Sequence, residues 1–152
     1  MDIGSGKEYP SNALSNFAPH PFVFDGVECN SMEGFLQSLK FKNPMMQEHV
    51  CTLVGITAKR AGSMKMWKRT RTLWWKGVPY KRDEKEYQEL LDRAYEAMAK
   101  NEKFRNALVA SGDATLTHSI GRIKESETIL TRQEFCSRLT KLRQKLKAES
   151  LV

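Results

Sequence analysis

A chain of 152 residues with an apolar fraction of 40% can bury one hydrophobic core but is too short for two full-sized domains. Its 25 basic against 18 acidic residues give a formal charge of +7, which favours anionic partners such as nucleic acid, nucleotides or sugar phosphates. Three scattered cysteines, Cys29, Cys51 and Cys136, exclude a disulfide framework and a CxxC zinc site, and no apolar run approaches the ~20 residues that span a bilayer. A reducing cytoplasm is the expected setting, with no membrane partner.

Residues 1–13 are rich in Gly, Ser, Pro and Asn and are expected to form a flexible terminus ahead of a single domain over residues 14–148. Within them Gly4-Ser5-Gly6-Lys7 lacks the glycine spacing and the following Ser or Thr of a phosphate-cradling loop. Phe22-Val23-Phe24, Asp25-Gly26 and Val27-Glu28-Cys29 predict a β-hairpin, because Asp-Gly supplies the positive φ angles of a type I′ turn. Asn30 and Glu33 then predict a capping box that opens the next helix.

The composition of that helix is unusual. Met32, Phe35, Leu36 and Leu39 recur at the spacing of one apolar face, while Glu33, Gln37 and Lys40 form a polar stripe beside it. Gly34 and Ser38 leave the third side small enough for another backbone to approach. A helix with no ordinary solvated face belongs at the centre of the molecule, its polar stripe lining a cleft. Glu33 and Lys40 start roughly 10 Å apart along the axis, so they bracket a site more readily than they neutralise each other.

Asn43-Pro44 predicts a cap and first helical position for a short helix running towards Leu53, with Gly55 after it and another turn or two over Thr57 to Ala61. Between Lys59 and Arg82 there is no acidic residue, and the cations interleave with Trp67, Trp74 and Trp75. Phosphate attraction plus base stacking would use that pattern. Core tryptophans with a solvated cationic rim would produce it equally well. Asp83 to Lys100 is expected to be an amphipathic helix, followed by a second from Glu102 to Ala110 that Ser111-Gly112 ends. Ala114 to Ser119 alternates as a short strand would. Gly121 to Glu127 is expected to be loop, and Thr131 with Glu134 opens a C-terminal helix. The elements predict a mainly α (α+β) domain, compact and single, with a central helix, several surrounding helices and a short hairpin.

His20, His49 and His118 are isolated, so no metal site is expected, and neither a GxSxG elbow nor a Cys/His signature occurs. No cofactor is implied. Carboxylates remain as candidates for chemistry, chiefly Glu33 on the polar stripe and Asp113 after Gly112. Each also has a structural reading, Glu33 as half of a capping box and Asp113 as a turn residue.

The segments LSNF, PFVFDG and SMEGFLQSLKF resemble the opening of the NADAR, or YbiA-like, family, whose pattern includes SNF, PF and an S-x-E-x-x-x-Q-x-x-K helix. Downstream, AKRAG resembles that family's AK-x-x-G step, and KFRNALVASGDATL its KF and TGD-x-L segment. The resemblance implies a compact, mainly helical fold and N-glycosidase activity. The substrate would be either guanine-linked ADP-ribose in nucleic acid or a phosphoribosylamino-pyrimidine intermediate of riboflavin synthesis. It makes Glu33, Asp113 and Lys40 catalytic candidates. Asn16, Phe17, Gln37, Lys59, Lys103 and Gly112 become candidates for substrate binding, to which the basic, tryptophan-bearing stretch adds Trp67 and the position after the TGD-x-L segment adds His118.

Some features depart from the family pattern. A glutamate usual after TGD-x-L is replaced by Thr117-His118, and a terminal G-x-N-x-L-G segment gives way to SIGRIKESETILTRQEFCSRL. Histidine is the side chain best suited to replace a carboxylate in proton transfer near neutral pH. The competing expectation is a module that holds nucleic acid or ADP-ribose on a basic, tryptophan-bearing surface without turnover.

Overall fold

The structure, a computed structural model, describes residues 1–150. The Asp25-Gly26 turn closes the first hairpin, β1 (Phe22–Phe24) against β2 (Val27–Cys29), with φ of 49° and 79° as a type I′ turn requires. Next comes α2 (Met32–Ser38), preceded in the chain by a single-turn α1 (Ser11–Leu14). Asn43 caps α3 (Pro44–Cys51) by accepting from the Met45 and Met46 N–H groups, and α4 (Gly55–Ser63) follows. A short α5 (Trp67–Thr70) leads into a second hairpin, β3 (Thr72–Trp75) and β4 (Val78–Lys81). Three further helices complete the fold: α6 (Lys85–Met98), α7 (Glu102–Ala110) and α8 (Arg132–Ser150). Among the described residues, eight helices with two antiparallel hairpins make this a mainly helical α+β architecture.

Packing around α2 follows from its small face. Gly34 lies against the last turn of α3, where an added Cβ would stand 2.6 Å from the Leu53 carbonyl oxygen and 3.0 Å from that of Val50. These are backbone atoms and cannot rotate away. Gly34→Ala is therefore expected to destabilise by about 1–3 kcal/mol through overpacking, read as a lower urea midpoint at unchanged slope. On the other flank α4 approaches at Gly62, whose missing side chain makes room for Gln37 and the Lys40 stem. On the apolar face Phe35 meets Phe24 and Trp75, with ring centroids 5.3 and 5.1 Å away.

Several expectations change. The first residues are part of the packing: Ile3 is 1% exposed, and its N–H donates to the Thr117 carbonyl at 2.8 Å. Polar composition concealed this because one buried isoleucine and a backbone pairing suffice to hold the segment. Of the expected strand over Ala114 to Ser119, only a single parallel bridge between Asp2 and Thr117 forms. The basic segment contains a hairpin turned by Lys76-Gly77, again with positive φ at both residues. Trp67 and Trp75 are buried in the core, the former 6% exposed, so neither offers a face for a base to stack on. Trp75 instead donates its indole N–H to Asp25 at 2.9 Å, tying the two hairpin turns together. Among the described residues no helix is long and apolar enough to cross a membrane.

Candidate active site

The start of α2 is capped by Ser31, not by the residue before it. Ser31 has extended backbone, accepts from the Gly34 N–H at 3.0 Å, and donates its own hydroxyl to the Leu53 carbonyl at 2.9 Å. Asn30 spends its side chain on the Thr52 carbonyl. The consequence reaches Glu33, whose carboxylate is free of any capping role. Its N–H is taken by the Asn16 carbonyl at 3.0 Å, and the Asn16 side chain accepts from the buried Tyr95 hydroxyl at 2.8 Å. Loop 15–18 is thus fixed to the helix start from both sides.

Glu33 opens onto a cleft of about 710 Å³. Asn16, Phe17, Gln37, Lys59 and His118 line it together with Glu33. Gln37 donates its amide N–H to the Glu33 carboxylate at 2.8 Å, while its amide oxygen is buried without a partner. Burial raises the Glu33 pKa above the ordinary carboxylate value, against the opposing pull of the Gln37 hydrogen bond and of Lys40, Lys59 and His118. Lys40 is lowered by burial in turn, Glu33 opposing the shift and Lys68 and Lys59 adding to it. Its ammonium lies 3.5 Å from the Gly62 carbonyl, beside α4, and does not line the cleft. Burial thus makes the Glu33 carboxylate a stronger base than an ordinary one.

The second carboxylate expected here is elsewhere. Gly112 takes φ of 60° at the end of α7 and turns the chain outward, leaving Asp113 with a side chain 96% exposed and ion-paired to Lys147 of α8. Hydrogen bonding to Lys147 holds the Asp113 carboxyl below its usual range. The structure therefore does not bring Asp113 and Glu33 to one hollow. Gly112, Trp67 and Lys103 do not line the cleft either, Lys103 being exposed on the first turn of α7.

The wall opposite α2 comes from residues 118–130, a stretch with no periodicity to announce it. Ile120 and Ile123 are exposed at the rim, and Arg122 and Lys124 place two cations there. Gly121 is required for this turn, since a Cβ would meet His118 Cδ2 at 2.6 Å and Arg132 Cγ at 2.9 Å. Deeper in, Arg82 donates to the Thr128 carbonyl at 2.9 Å and Tyr87 to that of Ile129 at 2.6 Å, pinning the wall to the core.

The order and packing of these helices and hairpins are those of a YbiA-like α+β fold. The fold superimposes on the NMR structure of the E. coli protein YbiA with a TM-score of 0.64, covering 99% of this chain and 86% of that one at 19% identity. The chain belongs to the bacteriophage protein GP30.3 family, whose model matches residues 8–144. It is also 43% identical over 149 residues to the uncharacterized 17.1 kDa protein in the Gp30-rIII intergenic region of Enterobacteria phage T4, spanning 96% of this chain and 98% of that protein.

Proposed function

We propose that this protein is an N-glycosidase that hydrolyses a ribosyl–base bond, with guanine-linked ADP-ribose in nucleic acid as the first substrate to test. The observation that carries the reading is Glu33: a carboxylate with a raised pKa, bound by Gln37 and surrounded by cations, inside a cleft of nucleotide size. The S-x-E-x-x-x-Q-x-x-K pattern on which the family resemblance rests supplies the acid and amide on that wall and the amine just behind it. In the proposed reaction Glu33 takes a proton from water as its oxygen bonds to the anomeric carbon. The C–N bond breaks towards the base, whose nitrogen takes up a proton. Lys59, Arg122 and Lys124 are suited to phosphate oxygens as point charges or forks.

With Asp113 outside the cleft, His118 in its protonated form is the donor we assign to the leaving base, its Nε2 giving up the proton that the base nitrogen takes. Asp113→Asn is expected to leave turnover within about twofold of the parent, as for any solvated side chain. A large loss would return Asp113 to the mechanism. The direct test is incubation with guanine-ADP-ribosylated DNA and, separately, with a phosphoribosylamino-pyrimidine. Release of free sugar phosphate or ADP-ribose from one of them is expected, and none from either with protein in excess would overturn the reading.

A second reading, binding without turnover, is favoured by the exposed cations Lys65, Lys68 and Arg69 near α5. Because Trp67 and Trp75 are buried and the half-exposed Trp74 ring is covered by the Lys42 ammonium 5.0 Å from its centre, such binding would rest on charge and fall steeply with salt.

A further inference from the structure

We propose that Asp2 and Ile3 form a positioning strap for His118, the Ile3 carbonyl fixing the neutral imidazole as its Nδ1–H tautomer and leaving Nε2 as the nitrogen that gains a proton and hands it on at the cleft. Its catalytic meaning rests on the glycosidase reading; the tautomer itself does not. Both chain neighbours of His118 are tied to the first residues. The Thr117 N–H donates to the Met1 carbonyl at 2.9 Å, and the Ile3 N–H returns a bond to the Thr117 carbonyl at 2.8 Å. Beyond His118, the Asp2 carboxylate accepts from the Ser119 N–H at 2.7 Å and from its hydroxyl at 2.6 Å. Those two hydrogen bonds, with Lys7 at 3.4 Å, hold Asp2 well below the ordinary carboxylate range, so the clasp stays ionised in neutral solution. The buried Ile3 side chain anchors the strap in the core.

Held on both sides, His118 has its Nδ1 2.9 Å from the Ile3 carbonyl oxygen. A carbonyl only accepts, so in the neutral ring Nδ1 carries the hydrogen and Nε2 carries the lone pair. The ring plane is set independently: Phe135 meets it edge-on at 5.1 Å and 72°, and Gly121 leaves space against Cδ2. Among the described residues Nε2 has no hydrogen-bond partner, and His118 lines the same cleft as Glu33. This arrangement uses a backbone carbonyl where other histidine sites use a carboxylate, and it explains why a short polar terminus is packed so closely.

Long-range ¹H–¹⁵N spectra of the imidazoles, recorded on the alkaline side and assigned with a His118→Gln variant, read the tautomer directly. The expected result for His118 is a protonated Nδ1 and an unprotonated Nε2; the reverse would overturn the proposal whatever the enzyme assay gives. In Asp2→Ala the strap is loosened, so Nε2–H signal should appear and kcat should fall about tenfold with KM retained, the signature of a misoriented group. An unchanged tautomer and unchanged kcat in that variant would remove Asp2 from the strap. A correct tautomer in a protein that cleaves nothing would fault the glycosidase reading and leave the strap standing.

Discussion

Glu33→Gln is expected to lower turnover by at least about 10²-fold while making the protein more stable. Glutamine keeps the size of the side chain and a polar partner for Gln37, but it has no charge to stabilise a developing sugar cation and cannot take a proton from water. The gain in stability follows from the raised pKa of Glu33. An acid that binds its proton more tightly in the folded state costs stability as pH rises from the unfolded towards the folded pKa, and the cost persists above it. The neutral amide removes that cost. The pH profile carries the same information: kcat/KM of the parent should rise through a limb above the usual carboxylate range, and the limb should be absent in the variant. Thermal melts at neutral pH alongside the rate assay check both halves. A variant that is less stable and equally active would show Glu33 to be a structural residue.

The largest expected loss of stability is at Glu134. Its carboxylate receives two hydrogen bonds from Arg82, at 3.0 and 2.6 Å, and one from Gln88 at 2.6 Å, while it accepts the Thr131 N–H at 2.7 Å to cap α8. Arg82 is 0% exposed. Glu134→Ala leaves that guanidinium buried with only the Thr128 carbonyl, and roughly 3–5 kcal/mol is the usual consequence of uncovering one partner of a buried pair. At about 2–4 °C per kcal/mol for a chain of this size, the melting temperature should drop by roughly 6–20 °C. Burial works against the charged form of Glu134, yet Arg82, the Thr131 N–H and Gln88 together depress its pKa. Its contribution is therefore complete above the unfolded carboxylate pKa and lost as pH falls through the folded one, so parent and variant should converge in stability in acid. Arg82→Met combined with Glu134→Leu should recover much of the loss, since the pair is costly to break but not to replace. Because Arg82 also holds the Thr128 carbonyl, Glu134→Ala should loosen the cleft wall as well.

How far the residues alone lead differs from element to element. The Asp25-Gly26 hairpin, the Glu102–Ala110 helix and the Thr131 cap follow from local chemistry, and all three form as expected. The small face of α2 likewise follows from Gly34 and Ser38. The failures share a cause: long-range pairing decided what local pattern could not. Either Asn30 or Ser31 is a competent cap, and only the packing of α3, which offers Leu53 to one and Thr52 to the other, chooses between them. Nothing in GDAT says that the chain leaves Gly112 towards Lys147 instead of Glu33. The Lys76-Gly77 turn carries its own signal, but the charges and tryptophans around it fit a surface and a core reading equally and do not mark a hairpin.

The proposed chemistry belongs in the hollow between α2 and residues 118–130, and ¹⁵N-edited NMR during titration with ADP-ribose tests that placement most directly. Shifts concentrated at Glu33, Gln37, Lys59, His118 and Arg122, and absent from a Glu33→Trp protein that fills the hollow, are the predicted result. Shifts confined to Asp113, Lys147 and their neighbours on α7 and α8 would contradict it.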